Sequence, residues 1–235
     1  MIVIRKSKYL EFLSKFGVGG AHPGGMALTK QLLKNENITK HSQILDVGCG
    51  TGQTAAYLAS HYKANVTGID NNAIMVEKAQ SRMAKHSLPV QIIKGSVEQL
   101  PLAKQQFDFI IAESVLSFVN KHKALNEIYR LLKFGGQLIA IEFTIQQELD
   151  DVSAEEIKQF YGFDLLFTKK DWVTLFKQTG FQTIHIRKNK SFSSAPEFHY
   201  SQQIEPELYK VMEQNIEMNV KYEGVLDYRI YYCTK

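Results

Sequence analysis

The feature that most constrains this chain is Gly48-Cys-Gly-Thr-Gly52, set between an apolar run and a helical stretch. Gln43-Ile-Leu-Asp-Val47 reads as a short buried strand, and residues 53 to about 62 read as a helix. A glycine turn between strand and helix lets a ligand approach the backbone closely. Asp46 then lies at the carboxyl edge of a sheet, where such folds bind ligands. Asp70 ends a second strand, Asn65–Asp70, 18 residues after Gly52. A carboxylate there can accept both hydroxyls of a ribose.

The rest of the chain supports the same frame. Helices are expected at 72–86 and 121–133, and strands at 90–93, 107–112 and 137–143. Strands alternating with helices over short connections imply right-handed crossovers and a parallel sheet covered on both faces. Later, a helix at 169–179 is ended by Gly180, a helix covers 205–221, and strands cover 181–187 and 226–233. The expected fold is α/β: a doubly wound, Rossmann-like, seven-stranded and mostly parallel sheet with a helical cap. The expected organisation is an N-terminal cap over 1–40, then one domain over 41–235 with cap insertions at about 145–168 and 190–222. The N-terminal part holds a helix at 3–16 (Ile4, Leu10, Leu13 and Phe16), a helix at about 26–35, and between them Gly17–Gly25, with five glycines and a proline in nine residues.

Composition excludes several classes. Lys plus Arg number 28 and Asp plus Glu 24, a net +4 with no concentrated basic stripe, so a nucleic-acid partner is not expected. Cys49 and Cys233 stand too far apart for a metal motif, and no metal is expected. No apolar run has the length of a membrane span or of a leader peptide, so a cytoplasmic protein, monomer or homodimer, is expected.

The glycine pattern also separates two cofactor classes. A dinucleotide fingerprint needs a small residue where Gln53 stands, and Asp46 beside the turn would repel a pyrophosphate but pair with an ammonium group. This favours a cationic amino-acid nucleoside over NAD. Ile44–Gly52 resembles motif I of the class I S-adenosylmethionine-dependent methyltransferases. Gly68-Ile-Asp70, Gly95-Ser-Val-Glu-Gln-Leu-Pro101, Phe107–Ala112 and Leu131-Leu-Lys-Phe-Gly-Gly-Gln-Leu138 resemble the family's later motifs in order, with Ser96 and Phe134 departing from its usual Asp and Pro.

The resemblance implies S-adenosylmethionine as cofactor, held by Asp46, Gly48, Gly50, Thr51, Gly52, Asp70, Asn71, Met75, Ser96, Val97 and Glu113. Glu113-Ser-Val-Leu-Ser-Phe118 resembles the ubiquinone/menaquinone methyltransferase-like group rather than the amine methyltransferases of DNA and RNA. That implies a small-molecule acceptor; the alternatives are an RNA or protein acceptor, or a cofactor-binding module without turnover. His22, in the glycine-rich loop, and Glu113 and Glu142, at strand ends, are the candidate catalytic groups. Phe160, Tyr161, Phe163, Phe167 and Trp172 read either as a pocket wall or as the underside of a cap.

Overall fold

The computed structural model describes residues 7–188 and 196–235. Ile4 lies outside the described residues, as do Asn189 and Lys190 of the run Arg187-Lys-Asn-Lys190, which reads as a solvated face. The helices are α1 (Lys8–Phe16), α2 (Gly25–Leu33), α3 (Gln53–Tyr57), α4 (Ala73–Lys85), α5 (Lys121–Leu131), α6 (Asp151–Tyr161), α7 (Lys169–Thr179) and α8 (Glu207–Lys221). The strands are β1 (Gln43–Val47), β2 (Asn65–Asp70), β3 (Gln91–Lys94), β4 (Phe107–Glu113), β5 (Leu132–Ile145), β6 (Thr183–Arg187) and β7 (Leu226–Thr234). A π-turn, Leu58–Tyr62, continues α3 to the expected end at residue 62, and a single 3-10 turn, Leu116–Phe118, follows β4.

The seven strands form one sheet in the order β3-β2-β1-β4-β5-β7-β6. β1 pairs in parallel with β2 and β4, and only the pairs made by β7 are antiparallel. The sequence direction reverses on either side of β1, so the carboxyl ends of β1 and β4 open a crevice where ligands of such sheets bind.

Local chemistry explains the elements closest to that crevice. The Asn72 side chain caps α4 by accepting from the Ile74 and Met75 N–H groups. Thr168 and Asp171 form a capping box on α7, and Gly180 ends it in the left-handed conformation. One face of the sheet packs Leu138, Ala140 and Tyr231 under α5 and under Trp172 and Phe176 of α7. The other packs Ile44, Ile139 and Ile230 under Leu28, Leu32 and Leu33 of α2. α2 is therefore part of the sheet's own helical layer, which differs from a cap running over all of 1–40.

The cap is built from α1, α6 and α8. Tyr9, Phe12 and Phe16 pack with Ile157 and Tyr161 and with Leu208, Val211 and Met218. The aromatic cluster resolves into underside and core: Phe160, Tyr161 and Phe163 pack within the cap, while Phe167 and Trp172 belong to the sheet core, where Trp172 Nε1 donates to Phe143 O at 3.0 Å. The segment around His199 and Tyr200 is strapped down by its backbone, although both side chains are exposed. His199 N donates to Phe16 O at 2.9 Å, Ser201 N donates to Lys15 O at 2.8 Å, and Gly19 bridges Glu197.

Candidate active site

The carboxyl ends of β1, β2 and β4 open into a cavity of about 400 Å³. Its floor is the glycine turn. Gly50 N donates to Asp70 Oδ2 at 2.9 Å, and Asn72 N donates to Oδ1 at 2.8 Å, so one carboxylate ties the first loop to the second. A Cβ built on Gly50 would stand in open space, so the turn offers bare backbone to the cavity. Gly48 and Gly52 have other work: a Cβ at Gly48 would sit 2.5 Å from Val115, and one at Gly52 would sit 2.7 Å from Met83. Gly52 does not line the cavity; it lets α3 pack on α4, which corrects its expected place among the cofactor contacts.

The other expected cofactor residues do line it: Asp46, Gly48, Gly50, Thr51, Asp70, Asn71, Met75, Ser96, Val97 and Glu113. Asp46 is buried, and its Oδ2 has no partner; Thr51 Oγ1 is likewise buried and unpartnered. Buried polar atoms without partners are rare and call for a ligand or water. Burial pushes the Asp46 carboxyl well above its ordinary range, and the nearby Glu113 charge pushes it further. Asp70 is raised by burial too, against the backbone donors that hold it. A buried acid with one oxygen unpartnered, an open glycine and a carboxylate at the second strand end match an ammonium group, a close backbone contact and a ribose. These residues fit the nucleoside.

The second half of the cavity is apolar. Leu10, Leu13 and Val18 come from α1 and the turn after it, and Phe118 and Val119 come from the segment after β4. Where the halves meet, Glu113 accepts from Thr29 Oγ1 at 2.5 Å and from Thr54 Oγ1 at 2.6 Å. His22 Nε2 lies 3.2 Å from Thr29 Oγ1 and 3.6 Å from Glu113 Oε2, and Nδ1 lies 3.2 Å from Pro23 O. The glycine-rich N-terminal loop thus delivers His22 to the end of β4. Thr29 and Thr54 are functional positions that sequence reasoning missed. Thr54 sits on α3 just after motif I and was open to detection; Thr29 meets Glu113 across 84 positions and carries no local signal. Thr29→Val is expected to cost about 1.5–3 kcal/mol in urea unfolding, the worth of a hydrogen bond to a charged acceptor.

Glu142 does not reach this cavity, which corrects its place among the catalytic candidates. It is fully buried, and both oxygens are occupied: Val115 N and Leu116 N donate to Oε1 at 3.0 and 2.9 Å, and Ser117 N and Oγ donate to Oε2 at 3.1 and 2.8 Å. Its position on β5 puts it on the same face as Leu138 and Ala140, behind the wall rather than in it. Cys49 is buried beside Gly68 and reads as packing. Among the described residues, no cluster of three or more His, Cys, Asp or Glu could hold a metal, and no helix is long and apolar enough to cross a membrane.

Comparison with known proteins agrees with this geometry. A family described as a methyltransferase domain matches residues 45–140. The uncharacterized methyltransferase YodH of Bacillus subtilis is 36% identical over 97% of this chain and 100% of its own. The chain belongs to the class I S-adenosylmethionine-dependent methyltransferases. Its cofactor is S-adenosylmethionine. The demethylmenaquinone methyltransferase of Lactiplantibacillus plantarum is 26% identical, covering 72% of this chain and 82% of its own. Among solved structures, a phosphoethanolamine N-methyltransferase of Haemonchus contortus in complex with S-adenosyl-L-methionine superposes with a TM-score of 0.81 at 16% identity. That match covers 100% of this chain and 60% of the other, and it shows the shared fold.

Proposed function

We propose that this methyltransferase acts on a small-molecule acceptor enclosed between the sheet edge and the cap. The observation that carries the reading is the continuity of the two halves. The polar half fits the nucleoside, and the apolar half next to it is roofed by α1 and walled by Phe118. A cavity of about 400 Å³ is in the range for small ligands, and a cap over it excludes water.

When bound, the cofactor supplies a methyl group already activated on a sulfonium, whose sulfur keeps the bonding electron pair. The protein's own task is placement and proton handling. Asp70 and Asn71 hold the ribose side, Met75, Ser96 and Val97 the adenine side, and Asp46 with Thr51 the amino-acid end. His22 and Glu113 form the acid–base pair for a proton released from an acceptor's O–H or N–H group, with Thr29 and Thr54 fixing the carboxylate.

The test pairs two measurements. Calorimetry with S-adenosylhomocysteine reports the cofactor half. Transfer of labelled methyl from S-adenosylmethionine into a cell extract, separated into small molecules, RNA and protein, reports the acceptor. Label in the small-molecule fraction is expected, and label confined to RNA or protein overturns the reading. On that acceptor, His22→Ala is expected to lower the transfer rate by about tenfold or more, as loss of a general base does. An unchanged rate removes His22 from the chemistry.

A further inference from the structure

Charge inside the cavity sets a condition on the acceptor. Four carboxylates line it: Asp46, Asp70, Glu98 and Glu113. Among the described residues, no lysine or arginine lines it, and His22 is the one basic side chain there, standing against Glu113. The nearest arginine to the turn is used elsewhere. Arg82 donates through Nε to Thr51 O at 2.8 Å and pairs with Glu197 at 3.0 Å, on the outer side of the strap. Lys121, below the Phe118 segment, is buried and turned to Ser117 O at 3.5 Å, away from the cavity. Burial raises the Asp46 and Asp70 carboxyls, and with no lysine or arginine in the lining the acidic side chains there give an anion no fixed cation to pair with.

The acceptor half adds a second condition. Leu10, Leu13, Val18, Phe118 and Val119 offer no hydrogen-bonding side chain, and the Ser14 hydroxyl beside them donates to Glu11 O at 2.9 Å, so an anionic acceptor would lose its hydration there with nothing in return. Phosphate and carboxylate ligands are normally met by arginine, lysine or a helix N-terminus. Among the described residues, no arginine or lysine lines the cavity.

We infer that the acceptor is an uncharged molecule with an apolar body, whose reactive O–H or N–H group meets His22 and Glu113, and that the site rejects phosphorylated and carboxylated molecules. This rests on the proposed small-molecule reading and narrows it. The rejection has a physical cause: an anion here meets Glu113 and Glu98 in a low-dielectric space, where like charges repel strongly.

The experiment uses three probes on the full chain. S-adenosylhomocysteine is titrated first by calorimetry, and the saturated protein is then titrated with 2-naphthol and with 2-naphthyl phosphate, which share one apolar body. The expected result is binding of 2-naphthol at least about tenfold tighter than its phosphate. Leu13→Arg, which places a cation on the apolar wall, is expected to narrow that gap, with S-adenosylhomocysteine binding as the check that the variant is folded. Equal or tighter binding of the phosphate overturns the inference, as does binding of neither probe, or a gap unchanged in Leu13→Arg. Absence of S-adenosylhomocysteine binding in the unaltered protein is a different failure: it removes the small-molecule methyltransfer reading itself.

Discussion

Glu142→Ala is expected to lower the unfolding free energy by about 3–5 kcal/mol, the cost of leaving several buried donors without their shared acceptor. Donor accounting gives the reason. Three consecutive backbone N–H groups, at Val115, Leu116 and Ser117, and the Ser117 hydroxyl all end on this one side chain. Leu116 and Ser117 are buried, so water cannot replace the lost acceptor without opening the core. Glu142→Gln keeps the volume but turns an NH2 group toward N–H donors, and it is expected to recover only part of the loss. The damage extends to function. The turn seats Val115 on Gly48 and carries Phe118 to the cavity wall, so cofactor affinity should fall along with stability.

The same residue gives stability a pH dependence. Burial pushes the Glu142 carboxyl from 4.5 up to about 7, against the donors that pull it down. Between those values the folded protein keeps a proton that the unfolded chain has released. The contribution is therefore full in acid and is lost as pH rises through about 7. Asp46 and Asp70, also raised by burial, act with the same sign. Lys121 faces Glu142 from α5, and its charge opposes the rise. Urea unfolding at about pH 5 and about pH 8 should show lower stability at the higher pH, with a smaller drop in Glu142→Gln. An equal drop in both proteins would remove Glu142 as its source.

What could be read from the sequence was what is written locally. β1, the glycine turn, β2 and the Asn72 cap are successive pieces of one short stretch, and their periodicity and turn residues specify them without help. Asp46 and Asp70 followed because a strand end has a defined place in a parallel sheet. Glu142 shows the limit of that argument. Its strand position was right, but its role depended on which face it takes and on the Leu116–Phe118 turn packed there, which no spacing announces. Likewise α2 has a helical pattern that suits either a cap or a sheet face, and only its contacts with Ile44 and Ile230 decide. The strap at Glu197 could not be read at all. Its partners, Gly19 and Arg82, lie more than a hundred positions away and include one that contributes only backbone.

Asp70→Ala is expected to weaken S-adenosylhomocysteine binding by about a hundredfold or more. A carboxylate has about four lone-pair positions. Asp70 Oδ1 accepts from Asn72 N and Oδ2 from Gly50 N, the Asn71 N–H adds a further backbone donor, and the residue lines the cavity with acceptor capacity left over. Two hydroxyls of a ribose can use it, and hydrogen bonds to a charged acceptor are worth about 1.5–3 kcal/mol each. Two such bonds correspond to at least about a hundredfold in Kd. The alanine variant loses more than these bonds, because Gly50 and Asn72 then have no common anchor, and the open face of the glycine turn is no longer fixed against α4. Asp70→Asn separates the two effects. Its amide oxygen can keep one backbone donor and its shape keeps the turns apart, so the expected loss is intermediate, about tenfold. Calorimetric titration of the three proteins reads this directly. A loss below about tenfold in Asp70→Ala would mean that the carboxylate only braces the loops, and the ribose contact would then have to be sought at Asn71, which also lines the cavity.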